Sequence, residues 1–272
     1  MVKEIINLDE ISNAIKNGEP YLDRQVFGIQ SNPVRYGYMF DLVRHICADR
    51  EAIEPISILE IGSWVGASAI AWGTAIKDYN AGLGLVTCVD PWKEYRTYRT
   101  TSSPPDDRMN VLFEHQIPLT LFQHNIKVFG LEDMVIPIKA TGKEVISQLP
   151  DKSFDIIYQD GNRLLKYIVE DIELAKPKVK NGGYLVGDDL VLQMNEVNRE
   201  EMAAAINLNI EMIKDSQTSK VYLPALTLAV SKCFDKVSVV DGFWWVKCEK
   251  NRWSPIDISL TNGIPDYVSQ WI

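Results

Sequence analysis

Short apolar runs of strand length recur along this 272-residue chain, separated by stretches whose apolar residues fall on a helical period. The runs are ISILEIG (56–62), LGLVTCVD (83–90), MVIPI (134–138), FDIIYQD (154–160) and GYLVGDD (183–189). KVSVV (236–240) and FWWVKC (243–248) follow, and the Asp241-Gly242 pair between them is a hairpin signal. Helical spacing marks ASAIAWGTAIKDY, LTLFQHNIKVFG and LLKYIVEDIELAKPKV, each ending near glycine or proline. Strands that alternate with helices predict a parallel sheet covered on both faces. The terminal hairpin turns the last strand antiparallel. The expected fold is α/β, a doubly wound sheet of seven strands, mostly parallel, with an antiparallel C-terminal hairpin strand.

Residues 1–50 precede the first strand. Leu42, Val43 and Ile46 have helical spacing there, so this segment is expected to form a helical cap on the main domain, 51–272. One connection is long: PWKEYRTYRTTSSPPDDRMNVLFEHQIP, 91–118. Loops of that length in compact domains tend to be lids or disordered. Its Trp92, Tyr95, Arg96, Tyr98 and Arg99 would offer aromatic and cationic groups to a bound molecule.

Composition narrows the function. Hydrophobic residues make up 46% and charged residues 24%, as in ordinary soluble domains. No stretch approaches the roughly 20 apolar residues of a membrane helix, and the charged start MVKEIINLDE does not read as a signal peptide. A net charge of −9 argues against nucleic acid as a partner. Cys47, Cys88, Cys233 and Cys248 are scattered without a CxxC, as expected of free thiols in a cytoplasmic protein, and His45, His115 and His124 do not cluster into a zinc site.

Ligands of such sheets bind at the carboxyl ends of the strands. The first strand ends in Glu60, Gly62, Ser63, Trp64, Val65 and Gly66. Trp64 stands where a dinucleotide fingerprint wants its second glycine, and no P-loop lysine is present, so a nucleoside without phosphates suits this Rossmann-like turn better. The second strand ends in Asp90, placed to accept hydrogen bonds from ribose hydroxyls. An acid, a Gly-x-x-x-Gly turn and a strand-end Asp together resemble the class I S-adenosylmethionine-dependent methyltransferases. FDIIYQDGN followed by VEDIELAKPKVKNGGYLVGDDL resembles the small-molecule O-methyltransferases related to macrocin O-methyltransferase. The likeness spans roughly residues 35 to 190. It implies a transferase that moves a methyl group from S-adenosylmethionine to a hydroxyl of a sugar-like or natural-product-like metabolite. It also implies cofactor contacts from Glu60, Gly62, Ser63, Gly66, Ser68, Asp90, Thr141, Gly142 and Asp160.

The fifth strand ends YLVGDDL, with Asp188 beside Asp189. Two carboxylates ~4 Å apart repel by roughly 4 kcal/mol at an effective dielectric of ~20, so water or a positive group must answer them. Metal-dependent relatives hold a divalent cation, usually magnesium, on carboxylates matching Asp160, Asp188 and Asp189. Magnesium's preference for oxygen ligands agrees. Adjacent side chains alternate along a strand, so the pair converges only where the strand has broken, and Gly187 is where the break would fall. Solvated carboxylates or helix caps are the alternative reading.

The pattern departs from the family after the Asp-Gly pair. Many relatives carry a basic Asp or His there, whereas this chain has Asn162 and Arg163. Asp160 and Asp189 are then the catalytic candidates, with Lys166 and His124 as other bases and Arg163 as a partner for an acidic substrate group. Two other functions fit the same residues: a cofactor-binding accessory or sensor protein without turnover, and a related enzyme that turns the carboxylates to other chemistry. The strand FWWVKC is either a homodimer interface or the completion of the sheet.

Overall fold

The computed structural model describes residues 6–29, 32–93 and 104–272, the side chains of 104–108 excepted. Its N-terminal part contains helices α1 (Leu8–Asn17) and α2 (Val34–Ala48). The five apolar runs become strands β1 (Ile56–Ile61), β2 (Gly84–Asp90), β3 (Val135–Lys139), β4 (Phe154–Gln159) and β5 (Val179–Leu190). Between them run α3 (Ala67–Tyr79), α4 (Pro104–Glu114), α5 (Ile117–Val128), α6 (Gly142–Ile146) and α7 (Leu165–Ala175). After β5 come α8 (Arg199–Asn207), a small ribbon of β6 (Ile213–Lys214) and β7 (Val221–Tyr222), and α9 (Pro224–Cys233). The chain closes with β8 (Ser238–Val240), β9 (Gly242–Glu249), β10 (Arg252–Ser254) and α10 (Asp266–Ser269).

The sheet runs β10-β9-β5-β4-β1-β2-β3, with β8 also paired to β9. Strands β1 to β5 are mutually parallel, and β9 is antiparallel to β5 and to both of its outer neighbours. The eighth strand, unexpected from the sequence, is β10. It folds back through Lys250 and Asn251, at φ 50° and 61°, a hairpin turn made without glycine. The anticipated turn is present as well, with Asp241 at φ 47° and Gly242 at φ 92°. Phe243, Trp244 and Trp245 are buried, so FWWVKC completes the sheet.

β1 and β4 are almost wholly buried, which is why they read as continuous apolar runs. One face packs on α2, α3 and α5, the other on α7 and α9. The chain leaves β1 toward β2 and β3 on one side, then returns to β4 and β5 on the other. The resulting crevice lies at the carboxyl ends of β1 and β4.

Helix α2 and the C-terminal tail are tied to this frame. Met39, Leu42 and Val43 of α2 are fully buried in the same cluster as α3. Buried Asp41 accepts from Arg44 Nε at 3.0 Å, from the Thr261 amide at 2.8 Å and from Asn262 Nδ2 at 3.0 Å. A Cβ at Gly37 would lie 2.8 Å from the Asn262 carbonyl, so the C-terminal tail lies directly on α2. Among the described residues no helix is long and apolar enough to cross a membrane.

The expected long loop is shorter than its sequence suggested, because α4 occupies 104–114. Prolines and acids at its start, PPDD, suit a helix N-terminus, and Leu112 is buried. Tyr95, Arg96, Tyr98 and Arg99, expected in a lid, lie outside the described residues.

Candidate active site

The glycine turn is locked against the end of β4. Gly62 adopts φ 89°, and a Cβ there would stand 2.2 Å from the Asp160 carbonyl oxygen. The Asp160 amide in turn donates to the Ile61 carbonyl at 2.9 Å. Gly66, at φ 94°, opens α3. Asp90 closes the turn from β2: its Oδ2 accepts from the Trp64 amide at 3.0 Å and its Oδ1 from the Trp92 amide at 2.7 Å. Burial raises the Asp90 pKa against the pull of these backbone donors. Trp64 takes φ 45°, and its indole donates to the Val26 carbonyl at 2.6 Å. The indole is thereby held by the N-terminal segment. Trp92 donates from its ring to the Trp64 carbonyl at 2.7 Å and packs edge-on against Phe122.

Beneath the turn, Glu60 is fully buried and accepts from Ser68 Oγ at 2.8 Å. Ser63 is buried beside it. Burial pushes the Glu60 carboxyl up to about 8, against the Ser68 hydrogen bond. Asp160 and Asp171 move in the same direction, each to about 6, mainly through burial. An acid whose folded pKa lies above its unfolded value stabilises the fold fully below the unfolded pKa and loses that contribution as pH rises through the folded one. Thermal unfolding is therefore expected to show stability falling from about pH 5 to about pH 8. Glu60→Gln should flatten much of that fall, and an unchanged slope would contradict the buried, protonated Glu60.

The paired carboxylates are answered by arginines. Asp188 is buried and forms an ion pair with Arg35 of α2, and the two side chains are 4% and 11% exposed. Arg163 donates from Nη2 to Asp189 Oδ2 at 2.6 Å, and its Nη1 lies 3.4 Å from Glu211 Oε1. Asp189 sits at φ 66°, inside a register break between Gly187 and Leu190. The strand thus bulges at Asp189, two residues beyond the place expected. Gly187 serves packing instead, since a Cβ there would press to 2.5 Å from the Trp244 indole. Asp160 accepts from the Tyr158 hydroxyl at 3.1 Å. Burial and then the Asp189 charge raise its pKa, while Arg35, Arg163 and the Tyr158 hydrogen bond pull it down.

This donor set does not fit the magnesium expected on Asp160, Asp188 and Asp189. Among the described residues, no three metal-capable side chains converge on one point. Two of the three carboxylates are engaged by guanidiniums. A dication brought to ~4 Å from either guanidinium would be repelled by about 8 kcal/mol at an effective dielectric of ~20. Magnesium prefers oxygen ligands, and the Asp188 carboxylate is already engaged by Arg35 in a buried pair.

The other sequence candidates have protein partners of their own. Thr141 accepts from the Glu144 amide and receives that residue's carboxylate in return, a capping box that opens α6. A Cβ at Gly142 would press on Ile61, 2.9 Å away. His124 Nε2 lies 2.7 Å from the Glu19 carbonyl, which ties α5 to the N-terminal segment. Lys166 reaches the ring of its neighbour Tyr167. Arg163, expected to meet a substrate acid, meets Asp189 and Glu211. Arg35, Tyr158 and Glu211 were not singled out by sequence. An arginine in the otherwise uncharged first two turns of α2, VRYGYMF, is the one signal that could have raised Arg35.

Residues 59–190 match the family model described as a methyltransferase domain. That span holds every strand end just described, from Glu60 to Asp189. Over these residues the chain carries a methyltransferase domain of the class I S-adenosylmethionine-dependent kind. A search of curated proteins finds no match. Among solved structures, the cofactor-bound Rv0187 from MTB aligns at 15% identity over 90% of each chain, with a TM-score of 0.49. The O-methyltransferase from Bacillus cereus in complex with SAH aligns at 14% identity over 88% of this chain and 87% of that one, with a TM-score of 0.47.

Proposed function

We propose that this methyltransferase methylates a hydroxyl of a small metabolite, sugar-like or natural-product-like, with Asp160 as the proton acceptor. The observation that carries the reading is Asp160 itself. It stands where the glycine turn meets the carboxylate cluster, with its pKa raised to about 6. A carboxylate tuned toward neutrality is a better base than an ordinary one.

Gly62 to Gly66 and Asp90 would hold the nucleoside part of S-adenosylmethionine, with Glu60 and Ser68 fixing the turn from below. The cofactor, when bound, supplies an electrophilic methyl group on a sulfonium. The Tyr158 hydroxyl holds one oxygen of Asp160 in place. Loss of that methyl group would break its bond to sulfur and leave the cofactor a neutral thioether, and the proton of the acceptor hydroxyl would pass to Asp160. Arg35 and Arg163 keep the neighbouring carboxylates paired, so that Asp160 is ionised above about pH 6.

The test is turnover with S-adenosylmethionine against a panel of hydroxylated metabolites. Thioether product should form only when a hydroxyl acceptor is present, with a rate that rises as pH passes about 6. Product formed only with amine or thiol acceptors would contradict the reading. Cofactor binding without product from any acceptor would favour the sensor.

A further inference from the structure

We propose that the guanidiniums of Arg35 and Arg163 occupy the place of a divalent cation in this site, and that the cluster of Asp160, Asp188 and Asp189 binds no magnesium. The proposal rests on reading the cluster as the acceptor side of the methyl-transfer site, but its test does not need that reading.

Three observations converge. First, the two cations arrive from different elements: Arg35 from α2 meets Asp188, and Arg163 from just after β4 meets Asp189 and also reaches Glu211. Second, both guanidiniums act electrostatically on Asp160, lowering its pKa against burial and the Asp189 charge. They do from the protein what a bound cation would do from solution. Third, neither Asn162 nor Arg163, which follow the Asp160-Gly161 pair, can take a proton at neutral pH. Proton removal is thereby left to Asp160, and a fixed positive charge stands near an oxygen that gains negative charge as it loses its proton. Forked guanidinium donors suit that role and need no hydration shell.

Arg35 lies outside the matched domain, on a helix held down by the C-terminal tail through Asp41. One of the two charges that fill the site therefore comes from the N-terminal segment, which gives that segment a role in chemistry as well as in packing.

The experiment is calorimetric titration of the purified protein with Mg2+, repeated with Mn2+ followed by its electron paramagnetic resonance signal. Wild-type protein should show no saturable binding at millimolar metal, and a chelator should leave turnover unchanged. Arg163→Met, and the double variant Arg35→Met/Arg163→Met, release carboxylates and should gain Mn2+ binding by about tenfold or more in affinity. Stoichiometric metal binding to the wild type, lost in Asp188→Asn/Asp189→Asn, would overturn the proposal. So would folded double-variant protein that still ignores both metals. Should loss of Arg35 prevent folding, Arg163→Met and the wild-type titration decide the matter. A parallel titration with S-adenosylmethionine separates the two readings: no cofactor binding sinks the methyltransferase site, whatever the metal result.

Discussion

Gly62→Ala is expected to abolish cofactor binding and to lower stability by on the order of 3 kcal/mol or more. Two separate costs add at this position. The backbone holds φ 89°, which an alanine adopts only under strain. The new methyl would also stand 2.2 Å from the Asp160 carbonyl oxygen. That oxygen belongs to backbone, not to a flexible side chain, and the β4 chain is fixed there by the Asp160 amide bond to Ile61. Relief therefore requires the ends of β1 and β4 to part, and the crevice lies between them. Gly182 supplies the control. It has a similar φ of 84° but nothing within 4 Å of its would-be Cβ. Gly182→Ala should cost only the strain, about 1 kcal/mol, and leave cofactor binding intact. Denaturant melts of the two variants check this, and equal losses would show that the contact with Asp160 does not matter.

Asp160→Asn should lower kcat by about 10²–10⁴ while leaving affinity for S-adenosylmethionine within a few-fold of wild type. Asparagine keeps the shape and can still accept from the Tyr158 hydroxyl, but it cannot take a proton. The rise in rate near pH 6 should vanish with it, because that limb reports ionisation of Asp160. Asp189→Asn is the informative comparison. It removes the partner that holds Arg163 Nη2 at 2.6 Å, so it should disturb acceptor binding more than it disturbs the pH profile. A pH limb that survives in Asp160→Asn and is lost in Asp189→Asn would move the base to Asp189.

Much of the fold was readable because the sheet is buried on both faces. Apolar runs as short as ISILEI and FDIIYQ read as buried strands, and the helices between them leave only a parallel order. The hairpin at Asp241-Gly242 was readable because positive φ at both turn residues favours that dipeptide. The turn at Lys250-Asn251 makes the same shape from residues that do not announce it, so β10 was missed. The helix at 104–114 was hidden for a different reason. The tyrosines and arginines before it drew attention from the Pro-Pro-Asp-Asp start that marks its N-terminus.

At the site, the residues carried by strand ends were legible and their partners were not. Glu60, Gly62, Asp90, Asp160, Asp188 and Asp189 stand at positions that the parallel sheet defines. Arg35 is 153 residues from Asp188 in the chain, and only the packing of α2 brings the two together. The need for a positive charge was clear from the Asp188-Asp189 pair alone. Whether a metal or an arginine supplies it is a question of tertiary structure, and local sequence holds no sign of Arg35 at this site.

The central claim is that the turn from Gly62 to Gly66, closed by Asp90, is an S-adenosylmethionine site. Calorimetric titration of the purified protein with that cofactor tests it most directly, with Asp90→Asn alongside. One saturable site per chain, weakened about tenfold or more by the substitution, is the predicted result. The absence of binding to folded wild-type protein, or binding that Asp90→Asn leaves untouched, would contradict it.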